Sequence, residues 1–100
     1  MRKAAIGNQA SKRDPRVLLQ QGLALHRSGQ LNEALTCYRQ FLDKTPDHAE
    51  ALHMLGVAEF QRQHFEEAAD AIKRSIQLAS HNPMAHFNYG NTCRALGRVD

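Results

Sequence analysis

One hundred residues give room for one modest hydrophobic core and not for two. The composition, 42% apolar and 23% charged with no Trp, is that of an ordinary folded domain, and no apolar run approaches the ~18–20 residues of a membrane-spanning helix. The formal charge of +3 is unevenly placed. Residues 1–13 carry Arg2, Lys3, Lys12 and Arg13 without an acid, whereas nine bases face ten acids from Asp14 onward. The body of the chain therefore lacks the basic surplus that a nucleic-acid-binding domain shows.

In chain order, the first segment is 1–13, which reads as a disordered basic tail. Its apolar stretch, Ala4-Ala5-Ile6, is too short for a secretory leader. Asp14-Pro15 then opens a helix predicted over 15–28: an N-cap side chain followed by Pro at the first helical position, where a missing N–H costs nothing. Ser28-Gly29 closes it. A second helix is predicted over 31–44, ended by Thr45-Pro46. A third is predicted over 49–62, where Asp47 and Glu50 have capping-box spacing. The fourth is predicted over 65–79. The fifth, 83–96, is opened by Asn82-Pro83 and closed before Gly97.

A 34-residue period organises these elements. It relates Gly22, Gly56 and Gly90; Leu18 and Leu52; Ala34 and Ala68; and Leu31, Phe65 and Val99. Glycine inside a helix costs ~1 kcal/mol relative to Ala. Its return in each period predicts a place where a neighbouring helix approaches the backbone. Short connections make successive helices antiparallel neighbours.

The pattern resembles the tetratricopeptide repeat, whose signature places small and large residues at fixed positions over 34 residues. Leu18, Gly22, Leu25, Ala34, Tyr38 and Pro46 carry it in the first period; Leu52, Leu55, Gly56, Ala68 and Ile72 carry it in the second. The third has His86, Tyr89, Gly90 and Cys93. Gln21, Glu59 and Ser80 depart from the pattern and are expected to weaken local packing. The resemblance implies an all-α, antiparallel helix-pair solenoid with a right-handed superhelical stack. The expected domain, 14–100, holds about two and a half repeats: 15–48, 49–82 and a partial 83–100. The chain is expected to be the N-terminal fragment of a longer repeat protein.

The resemblance also implies a concave groove lined by the first helix of each repeat. Its partner-binding positions are Leu19, Leu23 and His26; His53, Val57 and Phe60; and Met84, Phe87, Asn91 and Arg94, with Arg16 and Glu50 beside them. The apolar share of this row suits an apolar peptide segment or an amphipathic helix. A family subset clamps acidic C-terminal peptides with Lys, Arg and Asn; here those positions hold Leu19, Leu23, Met54, Met84 and Asn88, of which Asn88 alone fits. The Asn ladder of sugar-transferase targeting arms is matched at one of Gln20, Met54 and Asn88.

Signals for chemistry are weak. No two of His26, His48, His53, His64, His81 and His86 stand three or four apart, so no metal site or cofactor is expected, and the histidines read as solvated or loop residues. Cys37 and Cys93 form no CxxC and read as reduced thiols in a cytoplasmic protein. Glu66, Glu67 and Asp70, followed by Lys73 and Arg74, read as a solvated helix face. The expected function is a non-catalytic protein- or peptide-binding scaffold with no nucleic-acid or membrane partner. The alternatives are the targeting arm of a larger enzyme such as a glycosyltransferase, and self-association through an open C-terminal repeat end.

Overall fold

A computed structural model describes residues 14–98. The expected basic tail and the final two residues lie outside that range. Five helices run in order: α1 Pro15–Arg27, α2 Leu31–Lys44, α3 Ala49–Gln61, α4 Phe65–Leu78 and α5 Pro83–Ala95. Each begins at the residue the sequence predicts, and four of the five end one residue earlier.

The caps explain this agreement. Asp14 accepts the Arg16 N–H, a bond that holds its carboxyl below the usual range. Asn82 Oδ1 accepts from both Met84 N and Ala85 N. At α3 the sequence misleads: Asp47 and Glu50 form no box, and the cap is His48, whose Nδ1 accepts the Ala51 N–H at 3.1 Å. The His48 ring meets Phe41 edge-on at 4.9 Å, so packing holds the cap in place.

The first helix of each period ends in one bonding pattern. Gln30 N donates to the Leu25 carbonyl and Gly29 N to that of His26; the pairs recur at His64–Glu59 and Gln63–Phe60, then at Arg98–Cys93 and Gly97–Arg94. The Schellman turn needs a left-handed residue at its C′ position. Gly29 and Gly97 supply it at φ 84° and 78°; Gln63, at φ 65°, supplies it against its side chain's preference.

Consecutive helices pair. α1 packs chiefly on α2 and α3 on α4, while α2 also meets α3 and α4 meets α5. The first helices touch one another along narrow seams, α1 with α3 and α3 with α5. Buried residues on α2 (Ala34, Leu35, Tyr38, Phe41) recur on α4 as Ala68, Ala69, Ile72 and Ser75. Ser75 stands where period one has Phe41, and its hydroxyl donates to the Ala49 carbonyl at 2.7 Å. α3 lies between neighbours on both sides and buries Ala51, Leu52, His53, Gly56, Ala58 and Glu59.

A neighbouring helix approaches the backbone closely at Gly22 and Gly56 but not at Gly90. A Cβ on Gly22 would lie 2.6 Å from Tyr38 Cε1, and one on Gly56 would lie 2.4 Å from Ile72 Cγ1. A Cβ on Gly90 meets nothing closer than an Arg94 side-chain nitrogen at 3.9 Å. Gly56→Ala is therefore expected to destabilise by ~1–3 kcal/mol through overpacking. Gly90→Ala is expected to stabilise by ~0.5–1 kcal/mol through helix propensity. Urea melts of the two variants check this, and equal signs would contradict the close-approach account.

A candidate partner-binding groove

The row along α1, α3 and α5 does not present its side chains equally. Leu19 and Leu23 are half-buried against the cluster of Ala34, Leu35, Tyr38 and Ala58. They form the floor of the row more than its contact surface. His26 is tied at both ring nitrogens: Nδ1 lies 2.9 Å from Tyr38 Oη and Nε2 2.6 Å from Gln61 Oε1. The Gln61 oxygen can only accept, so Nε2 carries the proton and Nδ1 accepts from the Tyr38 hydroxyl. Desolvation, followed by the influence of Cys37, pushes the Tyr38 phenol up to about 12.

His53 corrects the sequence reading. It is 5% exposed and serves as a joint between α3 and α5, not as a groove side chain. Nε2 lies 2.9 Å from Asn88 Nδ2, and Nδ1 lies 3.5 Å from Asn82 Nδ2. Asn82 spends its oxygen on capping α5, so its NH2 group faces the ring, as does that of Asn88. A ring protonated at both nitrogens would set a donor against a donor on each side. Burial pushes the His53 pKa below its ordinary 6.5, opposed in part by Glu50 one turn back.

The unfolded chain then takes up the proton first as pH falls below about 6.5, so the native state loses stability on that side and regains it above. Melts from pH 7 to about 5 should show a steeper loss in the native chain than in His53→Gln, which cannot titrate. Parallel profiles would remove His53 from the account.

Val57 and Phe60 are half-buried and border a small cavity of 40 Å³ with Ile72, Asn88, Asn91 and Thr92. Phe60 packs edge-on to Phe65 at 5.2 Å, so much of its ring serves the second hairpin. Met84 and Phe87 stand out at 56% and 60% exposed, one turn apart on α5. Asn91 and Arg94 continue their row and bond to each other.

Met54, which the sequence-based row omits, lies beside that row. With Leu23, His26 and Arg27 it lines a 300 Å³ depression between α1 and α3. The signal was present in the register: Met54 lies 34 residues from both Gln20 and Asn88. A larger open depression, 660 Å³, lies on the first hairpin among Gln21, Ala24, Leu25, Ser28, Gln30, Glu33, Thr36 and Cys37. It brings together no opposed charges and no row of large apolar groups, so size alone does not make it the contact surface.

The sequence expected Glu59 to weaken packing and the histidines to be solvated. Instead, Glu59 is buried between two donors: Arg39 reaches Oε2 at 2.6 Å and His64 Nδ1 reaches Oε1 at 2.7 Å. This joins α2, α3 and the start of α4. Cys37 and Cys93 are free, and burial pushes the Cys37 thiol up, away from the thiolate. Among the described residues no group of three His, Cys, Asp or Glu side chains could hold a metal ion, and no helix is long and apolar enough to cross a membrane.

The tetratricopeptide repeat family profile matches residues 19–83. The chain belongs to the tetratricopeptide repeat family. Its relatives in the family include Tetratricopeptide repeat protein 8 of Homo sapiens, 33% identical over 69 residues that make up 69% of this chain and 13% of that protein. Protein CTR9 homolog of Arabidopsis thaliana is 32% identical over 97 residues, 93% of this chain and 9% of the relative. The chain thus spans a small part of the curated relatives it matches. The crystal structure of MamA superposes with a TM-score of 0.86 at 27% identity, over 89% of this chain and 52% of that one. These likenesses agree with the five helices: a helix-pair solenoid of about two and a half repeats, in a family that generally mediates protein–protein interaction.

Proposed function

We propose that this chain is a non-catalytic protein-binding module that holds a segment of its partner in the groove formed by α1, α3 and α5. The observation that carries this reading is the pair Met84 and Phe87, large apolar side chains more than half exposed on a first helix. Large apolar groups left in water mark contact surfaces when they stand in a contiguous row. The depression at Leu23 and Met54 extends the apolar surface along the same side. The half-buried Val57 and Phe60 form the wall between them. An apolar segment, including one face of an amphipathic helix, suits that outline. A cytoplasmic location is part of the proposal and is supported by the two free thiols.

Phe87→Asp is the direct test. The side chain is exposed, so the helical circular-dichroism spectrum should be unchanged. Segments selected from a displayed random-peptide library on the native chain should lose about 30-fold or more in affinity for the variant, the effect of removing a hot-spot aromatic. Undiminished binding would place the contact surface elsewhere.

One observation favours a second reading, self-association. Among the described residues, the Gly90 face of α5 receives no side chain of the kind that fills Gly22 and Gly56. Sedimentation over a wide concentration range separates the readings: an assembly weakened by Gly90→Leu supports self-association, and a monomer throughout excludes it.

A further inference from the structure

The groove reading leaves open what kind of segment fits, and the charges bear on that. Among the described residues, nine bases balance nine acids. The groove side departs from that balance, with Arg16, Arg27 and Arg94 against Glu50. Arg16 is paired with Asp14 at 3.5 Å, and Arg94 is bonded to Asn91. Glu59, the other acid on a first helix, is turned inward onto Arg39 and His64. Arg27 has no acidic partner among the described residues, and it lines the 300 Å³ depression with Leu23, His26 and Met54.

His26 cannot serve as the polar group there, because Tyr38 and Gln61 occupy both of its ring nitrogens. The depression therefore has an apolar floor, a fixed imidazole wall and one free guanidinium at its rim. A guanidinium presents parallel N–H donors that match a carboxylate. One cation beside an apolar floor is too little for a nucleic-acid backbone, which is bound by a track of many.

We propose that the depression selects a partner segment in which an apolar side chain is flanked by an Asp or Glu, the apolar group seated on Leu23 and Met54 and the carboxylate on Arg27. This rests on the groove reading and adds the partner's chemistry to it. The carboxylate comes from a side chain, since the depression lies within the row of first helices and a segment that continues to Met84 and Phe87 passes over it.

The test uses three N-acetylated, C-amidated helical peptides that are identical except for the residue one turn from a central Leu: Glu, Gln or Lys. Amidation removes the terminal carboxylate, so any acid preference belongs to the side chain. Fluorescence anisotropy is read on the native 100-residue chain and on Arg27→Glu, whose exposed site leaves the fold intact. The Glu peptide should bind the native chain roughly two- to five-fold tighter than the Gln peptide, with Lys weakest, and salt should narrow the gap. In Arg27→Glu the order should invert, with Lys first.

Equal affinities for Glu and Gln, an order unchanged by Arg27→Glu, or no binding by any of the three overturns the proposal. The groove reading is judged separately, by whether library-selected segments lose affinity for Phe87→Asp. A charge preference that fails while Phe87→Asp still abolishes binding removes the Arg27 assignment alone.

Discussion

Tyr38→Ala is expected to cost about 3–5 kcal/mol, the range for truncating a buried aromatic. Tyr38 is fully buried on α2, its ring fills the space that Gly22 leaves open, and its hydroxyl fixes His26. A domain of this size has total stability on the order of 5–15 kcal/mol, so the variant should lose a large share of it. Its melting temperature should drop by more than about ten degrees. Tyr38→Phe separates the two contributions: it keeps the ring against Gly22 and loses one hydrogen bond, about 1 kcal/mol. If Tyr38→Phe were as damaging as Tyr38→Ala, the hydrogen bond and not the packing would hold the first hairpin.

Arg39→Ala is expected to cost about 2 kcal/mol. The Glu59 side chain is 4% exposed, whereas Arg39 and His64 are about half exposed, at 55% and 44%. Removing one partner from a wholly buried pair costs ~3–5 kcal/mol, because a charge is left in a poor solvent. Here the Arg side faces water and His64 still donates to the carboxylate, which lowers the figure. The penalty belongs to the stranded carboxylate and should largely vanish when Glu59→Gln is added. Denaturant melts of both single variants and the double variant give the coupling. Additive losses would mean that the two residues do not act as a pair.

The helices were legible in the sequence because their signals are local. Asp14-Pro15, Asn82-Pro83, Gly29 and Gly97 act on residues within a turn of themselves, and the 34-residue register locates the Gly22–Tyr38 and Gly56–Ile72 approaches. The joints between repeats were not legible. His53 meets Asn82 and Asn88 across 29 and 35 residues, and Glu59 meets Arg39 across 20. A histidine or glutamate in a helix reads as solvated until the helix packed against it is known. His48 takes the cap in place of Asp47, with Phe41 of the preceding helix edge-on to its ring. In the groove, the register identifies the row but not the depth of each side chain. Leu19 and His53 are covered by the first helix that follows them, whereas Phe87, at the same register on α5, has no further described helix beside it and stands out with Met84.

The most direct test of the groove as the contact surface is to map a bound segment on isotope-labelled protein by NMR, using the tightest peptide selected from the displayed library. The account predicts the largest methyl and aromatic shifts at Leu23, Met54, Val57, Met84 and Phe87, with Leu78 and the Leu25–Cys37 depression unmoved. Shifts concentrated at Leu25, Cys37 or Leu78, with Met84 and Phe87 unchanged, would contradict it.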